Sequence, residues 1–297
     1  VLRRAAALAL AVITLAGRST AQTPAVPVQS SSGFAPIAPL VEAAIARHEL
    51  PGAVVLIGRG DTVRYHRAFG QRALLPAPEA MTEDTIFDMA SLTKVVATTT
   101  SVMQLVEQGR IRLTDPVSQF IPGFERYGKR GITIRHLLTH TSGLRPDLEL
   151  EVEFHGADEA IRRAIDEVPT SGPGERFVYS DINFFLLGDI VFRVSGERLD
   201  RYARAHIFEP LEMKDTMFLP PESLRPRMAP TEACDPLGWP CGPVPSEGAN
   251  APSRGAFLRG IVHDPTARRM DGVAGHAGLF STAADLSRFC RMLLGGG

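Results

Sequence analysis

The sequence predicts a mixed α+β chain. Two adjacent strand-like segments with a hairpin signal between them come early, and helix-like patterns of 3.6-residue period fill much of the remaining chain. The 297 residues are enough for one large domain or two interlocked ones. Opposite charges nearly cancel, to a formal net charge of −1. That balance gives no basis for a nucleic-acid or anionic-membrane partner.

From the N-terminus, Arg3 and Arg4 precede an apolar stretch from Ala5 to Ala16, and Ser19-Thr20-Ala21 comes next with small residues. This order predicts an export signal over 1–21, with cleavage before Gln22 and a periplasmic or secreted product. Arg18 stands where a lipid-modified cysteine would be needed, so a soluble exported protein is expected. Apart from this segment, no apolar run reaches the length of a membrane-spanning helix. Residues 22–35 are rich in Pro, Ser and Gln and predict a flexible leader to a folded domain over 36–297.

Within that domain, residues 39–49 carry the spacing of a helix that stops before Leu50-Pro51-Gly52. Ala53 to Ile57 and Thr62 to Phe69 read as strands joined by Gly58-Arg59-Gly60-Asp61. The clearest helix starts near Ser91: Leu92, Val95, Val96, Thr99, Met103 and Val106 recur every three or four residues, and Gly109 stops it. Further helices are expected at 158–168, 182–194, 198–207 and 283–294, the last capped by Thr282. The Pro-dense stretch 219–265 reads as a long loop. Its Cys234 and Cys241 are close enough in sequence to bridge, while Cys290 is expected to be a buried small hydrophobe. Two strands cannot support so many helices, so further sheet strands are expected beyond residue 297.

Two short motifs carry chemistry. Ser91-Leu92-Thr93-Lys94 places a hydroxyl and an amine nearly one helical turn apart, pointing the same way. A serine hydroxyl needs a neighbour to take its proton, and a helix N-terminus offers unpaired N–H groups to a developing oxyanion. Alone, the tetrad is also what a helix cap and a surface lysine look like. Tyr179-Ser180-Asp181, ahead of the apolar run from Ile182 to Leu187, adds a phenol that could serve as base and a carboxylate, Asp181, that could meet substrate. His136 and His140 share the four-residue spacing of metal ligands, but no third ligand is placed, and both read as structural, with His140 near the cleft wall. His263-Asp264 reads as a solvated pair, and the Arg-rich stretch 193–204 as an exposed face.

Taken in order, Ile86 to Lys94, Ile134 to Gly143, Tyr179 to Asp181 and Gly275 to Thr282 resemble the serine β-lactamase and penicillin-binding superfamily, nearest its class C β-lactamase and carboxylesterase branch. The likeness runs from about residue 37 to the end. It implies an antiparallel sheet flanked by helices, with a helical subdomain closing the cleft. It also implies Ser91 as acylated nucleophile, Lys94 as its proton-handling partner and Tyr179 as base. No metal or organic cofactor is implied. The substrate would be a small molecule or cell-wall peptide with an ester, amide or lactam carbonyl, and a non-catalytic binding or sensor protein on this scaffold is the alternative.

Three departures from the family pattern stand out. Asp181 occupies a position where Asn is frequent. The final Lys-Thr-Gly-like motif is not found: His276-Ala277-Gly278 runs straight into the 283–294 helix and reads as a loop. The strand that supplies a second oxyanion donor goes with that motif, and losing one such donor costs about 2.7–4 kcal/mol of transition-state stabilisation.

Overall fold

The computed structural model describes residues 32–233 and 257–297. The export signal, residues 22–31 of the leader, Cys234 and Cys241 all lie outside the described residues. Ser32–Phe34 forms a short 3-10 turn, and the Phe34 ring meets Tyr65 edge-on at 5.9 Å, so the end of the expected leader is packed.

The hairpin forms as the sequence predicts. Strands β1 (Gly52–Arg59) and β2 (Thr62–Ala73) pair antiparallel, with Gly52 opposite Gly70 and Arg59 opposite Thr62. Gly60 takes φ +55° at the turn, a conformation that glycine adopts without steric penalty. Helix α1 (Ile37–Ala46) packs against this hairpin.

The expected count of two strands is too low. Strand β3 (Glu79–Ala80) extends the hairpin to three strands. A second antiparallel sheet has the order β4-β6-β5, from Phe87–Asp88 (β4), Met217–Phe218 (β5) and Leu279–Ser281 (β6). These added strands are two or three residues long, too short to show an alternating pattern. The small sheet matters more than its size suggests. It sets β4, which leads into Ser91, against β6, which comes after the 275–278 segment.

The expected helices form close to their expected positions, and two short ones, at Ile134–Leu138 and Pro265–Arg269, are additional. After Ser91 the chain enters a π-helical stretch over Lys94–Thr99 and continues as α2 (Thr100–Glu107). Three more lie further along: α3 (Ile134–Leu138), α4 (Ala157–Asp166) and α5 (Asp181–Ser195). Next come α6 (Leu199–Ala203), prolonged by a π-helical turn over Arg204–Phe208, and α7 (Pro265–Arg269). Helix α5 buries residues on every side, from Ile182 to Gly188 and again at Ile190 and Val191. Such a helix belongs inside a bundle; α2, α3, α4 and α6 surround it.

Helix α8 (Ala283–Leu294) packs on β1, and the Thr282 side chain accepts the Asp285 N–H at 3.2 Å as the expected cap. Cys290 is a correction: it is exposed, because α8 turns Asp285 and Phe289 inward and residue 290 lies about 100° further round. The 219–265 region is less uniform than a loop, with a 3-10 turn at Glu222–Arg227 and isolated bridges of Ile86 to Met228 and Ala233 to Phe257. Among the described residues, no helix is long and apolar enough to cross a membrane.

Candidate active site

The chain approaches Ser91 through a tight turn. Ala90 takes φ +43°, a left-handed conformation that strains a residue with a Cβ. Asp88 at the end of β4 holds it there: one carboxylate oxygen accepts the Ala90 N–H at 2.8 Å and the other accepts the His263 N–H at 2.7 Å. Burial pushes the Asp88 carboxyl above its usual range against the pull of these two bonds. Beyond the turn, Leu92, Thr93 and Lys94 donate their N–H groups to Met89, Ala90 and Ser91 carbonyls. The Ser91 N–H makes no such bond among the described residues and stands ready as an oxyanion donor.

Lys94 is almost wholly buried, at 3% exposure, so its ammonium must be satisfied by the protein. It donates to Ser91 Oγ at 3.0 Å and to the His276 main-chain oxygen at 3.2 Å, and lies 2.6 Å from Asp181 Oδ1. The expected hydroxyl–amine pair is therefore present, and Asp181 is its counter-charge at the first turn of α5. The neighbouring Asn183 turns inward instead; its Oδ1 accepts from Ser142 Oγ at 2.6 Å, wholly buried.

Tyr179 shares the pocket through its ring. The Lys94 ammonium sits 4.8 Å from the ring centroid, within cation–π range, and the side chain is 45% exposed. Among the described residues the phenolic hydroxyl makes no hydrogen bond, so it is open to whatever enters the cleft. His140 fixes the ring, stacking on it at 4.4 Å and 28°. Its Nδ1 accepts the Ser180 N–H at 3.0 Å. Burial, helped by the Lys94 charge, lowers the His140 pKa, so the ring stands neutral with its proton on Nε2. His140 thus lies against Tyr179 and the start of α5. His136 is elsewhere: its Nδ1 accepts the Thr133 N–H in the cap of α3.

Two residues were not legible as site residues. Asp264 is not paired with its neighbour His263, which meets Glu232 at 2.9 Å. Asp264 instead caps α7 and binds His276 Nε2 at 3.0 Å. His276 lies in the loop before β6 as expected, but it is completely buried and its carbonyl holds Lys94. Glycines 275 and 278 flank it, a sign of close packing, yet no sequence spacing ties it to residue 94. The Arg-rich helix face is exposed at Arg193, Arg198, Arg201 and Arg204.

The ligand atoms of Asp181, Asp264 and His276 lie within 4.8 Å of one another, a separation a metal ion could span. The Lys94 ammonium already occupies the Asp181 oxygen, however, so a dication there would meet direct repulsion. The arrangement suits proton and acyl chemistry at Ser91 better than metal binding.

Comparison with known proteins agrees with this geometry. The family model described as Beta-lactamase matches residues 37–297. The N-acetylmuramyl-L-alanine amidase of Bacillus subtilis (strain 168) is 32% identical over 270 residues, covering 83% of this chain and 60% of that protein. A protein of Escherichia coli (strain K12) named "Putative D-alanyl-D-alanine carboxypeptidase" is 32% identical over 273 residues, covering 83% of this chain and 61% of that one. The chain thus spans less than two thirds of either relative's length. Among solved structures, the octameric penicillin-binding protein homologue from Pyrococcus abyssi superimposes with a TM-score of 0.68 at 27% identity, over 87% of this chain and 56% of that chain. With the family model matching all but the first 36 residues, and the serine, lysine and tyrosine gathered in one cleft, the chain belongs to the beta-lactamase family.

Proposed function

We propose that this chain carries the nucleophile and base of a serine hydrolase that works through an acyl-enzyme on an amide, ester or lactam carbonyl. The observation that supports it most is the 3.0 Å contact of the buried Lys94 ammonium with Ser91 Oγ at the head of a helix. In the proposed step, Tyr179 enters as its phenolate, and Ser91 Oγ bonds to the carbonyl carbon while the phenolate oxygen takes the hydroxyl proton and becomes phenol. The oxyanion meets the Ser91 N–H. Tyr179 then returns the proton to the departing nitrogen or oxygen as the carbonyl–leaving-group bond breaks, and water repeats the sequence to free Ser91. Lys94 donates to Oγ throughout, which leaves the Ser91 proton directed away from it.

For the substrate class we favour an alanine-containing cell-wall peptide, because the names of the Bacillus and Escherichia relatives both specify an amide that involves alanine. The test is acylation of the full chain by a labelled penicillin and by p-nitrophenyl acetate, read by intact mass and peptide mapping. A stable adduct on Ser91, absent in Ser91→Ala, is expected. A folded chain that gains no mass on Ser91 overturns the reading. Assaying nitrocefin beside the ester separates lactam from ester preference.

The Asp181–Lys94 contact favours a second reading, a non-catalytic binding or sensor protein, since a paired ammonium cannot accept the Ser91 proton. Binding without turnover selects it, and steady hydrolysis lost in Ser91→Ala eliminates it. We also propose export of the protein on residues 1–21; N-terminal sequencing of the mature chain should begin near Gln22.

A further inference from the structure

Behind the cleft, the segment from Gly275 to Leu279 is joined to the nucleophile helix at three points. Thr98 Oγ1 donates to the Gly275 oxygen at 2.6 Å, Lys94 Nζ to the His276 oxygen at 3.2 Å, and the Leu279 N–H to Thr93 Oγ1 at 3.1 Å. Gly275 also lets the segment lie directly against α5, because a Cβ there would come 2.0 Å from the Phe184 main-chain oxygen. The imidazole of His276 is wholly buried, edge-on to Phe185 at 5.6 Å, with Nε2 on Asp264 at 3.0 Å.

Such a buried ring is not needed to present a carbonyl, which any residue has. The charges explain the choice. Asp181 places a carboxylate beside Lys94, and Asp264 places another within 4.8 Å of Asp181. Lys94 is already paired with Asp181, and the ring bonded to the part-buried Asp264 carboxylate is His276. We propose that His276 and Asp264 are positioning residues for Lys94: the imidazole, bonded to Asp264 through Nε2 and within 4.8 Å of an Asp181 oxygen, carries the balancing positive charge and anchors the carbonyl that orients the amine. This rests on the hydrolase reading for its catalytic consequence, but not for the charge arrangement itself.

The groups that face His276 are Asp264 at the cap of α7, Asp181 on α5, Lys94 on the nucleophile helix and, further off, Asp147 on the loop after α3; Arg268 on α7 adds positive charge near Asp264. Burial works against charge on the ring, and the two nearer carboxylates outweigh it, so its pKa is raised. Asp264 in turn is disfavoured by burial yet held at about 2, chiefly by His276. A second tie runs through Asp88, which binds the Ala90 and His263 N–H groups and so couples the nucleophile turn to the loop bearing Asp264.

Asp264→Asn tests the charge alone, because asparagine is as good a helix cap as aspartate. Removing the carboxylate leaves burial to dominate, so His276 releases its proton at lower pH and regains it only in acid. In the wild type at pH 7, ¹⁵N NMR should show both His276 ring nitrogens protonated and a slowly exchanging Lys94 ammonium. In Asp264→Asn the ring should be neutral at pH 7 and the ammonium should exchange faster. With p-nitrophenyl acetate, kcat should fall about tenfold at pH 8 with KM unchanged, and the deficit should close toward pH 5. His276→Gln, which can still donate to Asp264, should show the kcat loss without recovery in acid. A neutral His276 in the wild type at pH 7, or wild-type kcat in Asp264→Asn from pH 5 to 9, overturns the proposal. So does a pH-independent loss that tracks a fall in Tm, which would make the pair merely structural. If Ser91 is never acylated, the hydrolase reading fails, and the ring and ammonium signals still decide the pair.

Discussion

The hairpin side of the molecule and the helical side are covered to very different degrees. No residue of α1 or β1 is fully buried, and in β2 only Phe69 and Ala73 are. Helix α5, by contrast, is enclosed along most of its length. The chemistry sits with the enclosed side: Lys94 and His276 are 3% and 0% exposed. A cleft floor so placed keeps its geometry when the hairpin breathes. Site precision here comes from the helical core, while the three-stranded sheet is joined to the rest of the molecule through α8 on β1 and a few polar ties.

The largest effect is expected inside that core. Phe185→Ala removes a ring that is 1% exposed and supports His276, and should lower stability by about 3–5 kcal/mol in urea unfolding. A loss under about 1 kcal/mol would mean that the core is far looser than its burial indicates.

The ties come next. Glu79 on β3 accepts from Arg259 at 2.7 Å and from Arg72 at 3.0 Å, and Arg259 also donates to the Met228 oxygen, linking the sheet to the 257–259 segment. Glu79→Gln should cost about 2 kcal/mol at pH 7. The Arg259 guanidinium, with Arg72, holds the Glu79 carboxyl down at about 2. A lowered carboxyl pKa contributes stability above its unfolded value and loses it as pH falls. The gap between wild type and Glu79→Gln should therefore narrow from pH 5 toward pH 2, and thermal melts at a series of pH values would show it. A constant gap would locate the effect outside this ion pair.

The smallest effect is expected at Val55 on the half-covered strand β1. Val55→Ala should cost about 1 kcal/mol or less. In native-state hydrogen exchange, the β1–β2 amides should open at lower free energy than those of α5. Equal protection of the two regions would erase the distinction between hairpin and helical core.

The same contrast separates what the sequence makes legible from what it hides. The 283–294 helix has the predicted ends because Thr282 and Gly295 mark them chemically, and the β1–β2 hairpin is announced by its turn. Ser91, Lys94 and Asp181 come together because helical geometry and a motif place them. The strands β3 to β6 are hidden, since two or three residues have no period. So is the His276 carbonyl, 182 residues from Lys94, because a main-chain oxygen carries no residue signature. Cys290 misleads for another reason: its neighbours at helical spacing include Leu293, itself 56% exposed, so an apolar stripe is not always an inward one.

Position 275 also shapes what variation the scaffold can accept. A methyl group there would collide with the Phe184 carbonyl, although the residue adjoins one that touches Lys94. Saturation mutagenesis should return glycine alone at this site, whatever substrate is selected for. Diversity can enter nearby, where Leu92 and Val95, close to Ser91 in sequence, and Phe177 against His140 are exposed apolar side chains at 50%, 50% and 68%. New specificities on this fold should therefore arise by repainting the mouth of the cleft while its back wall stays fixed.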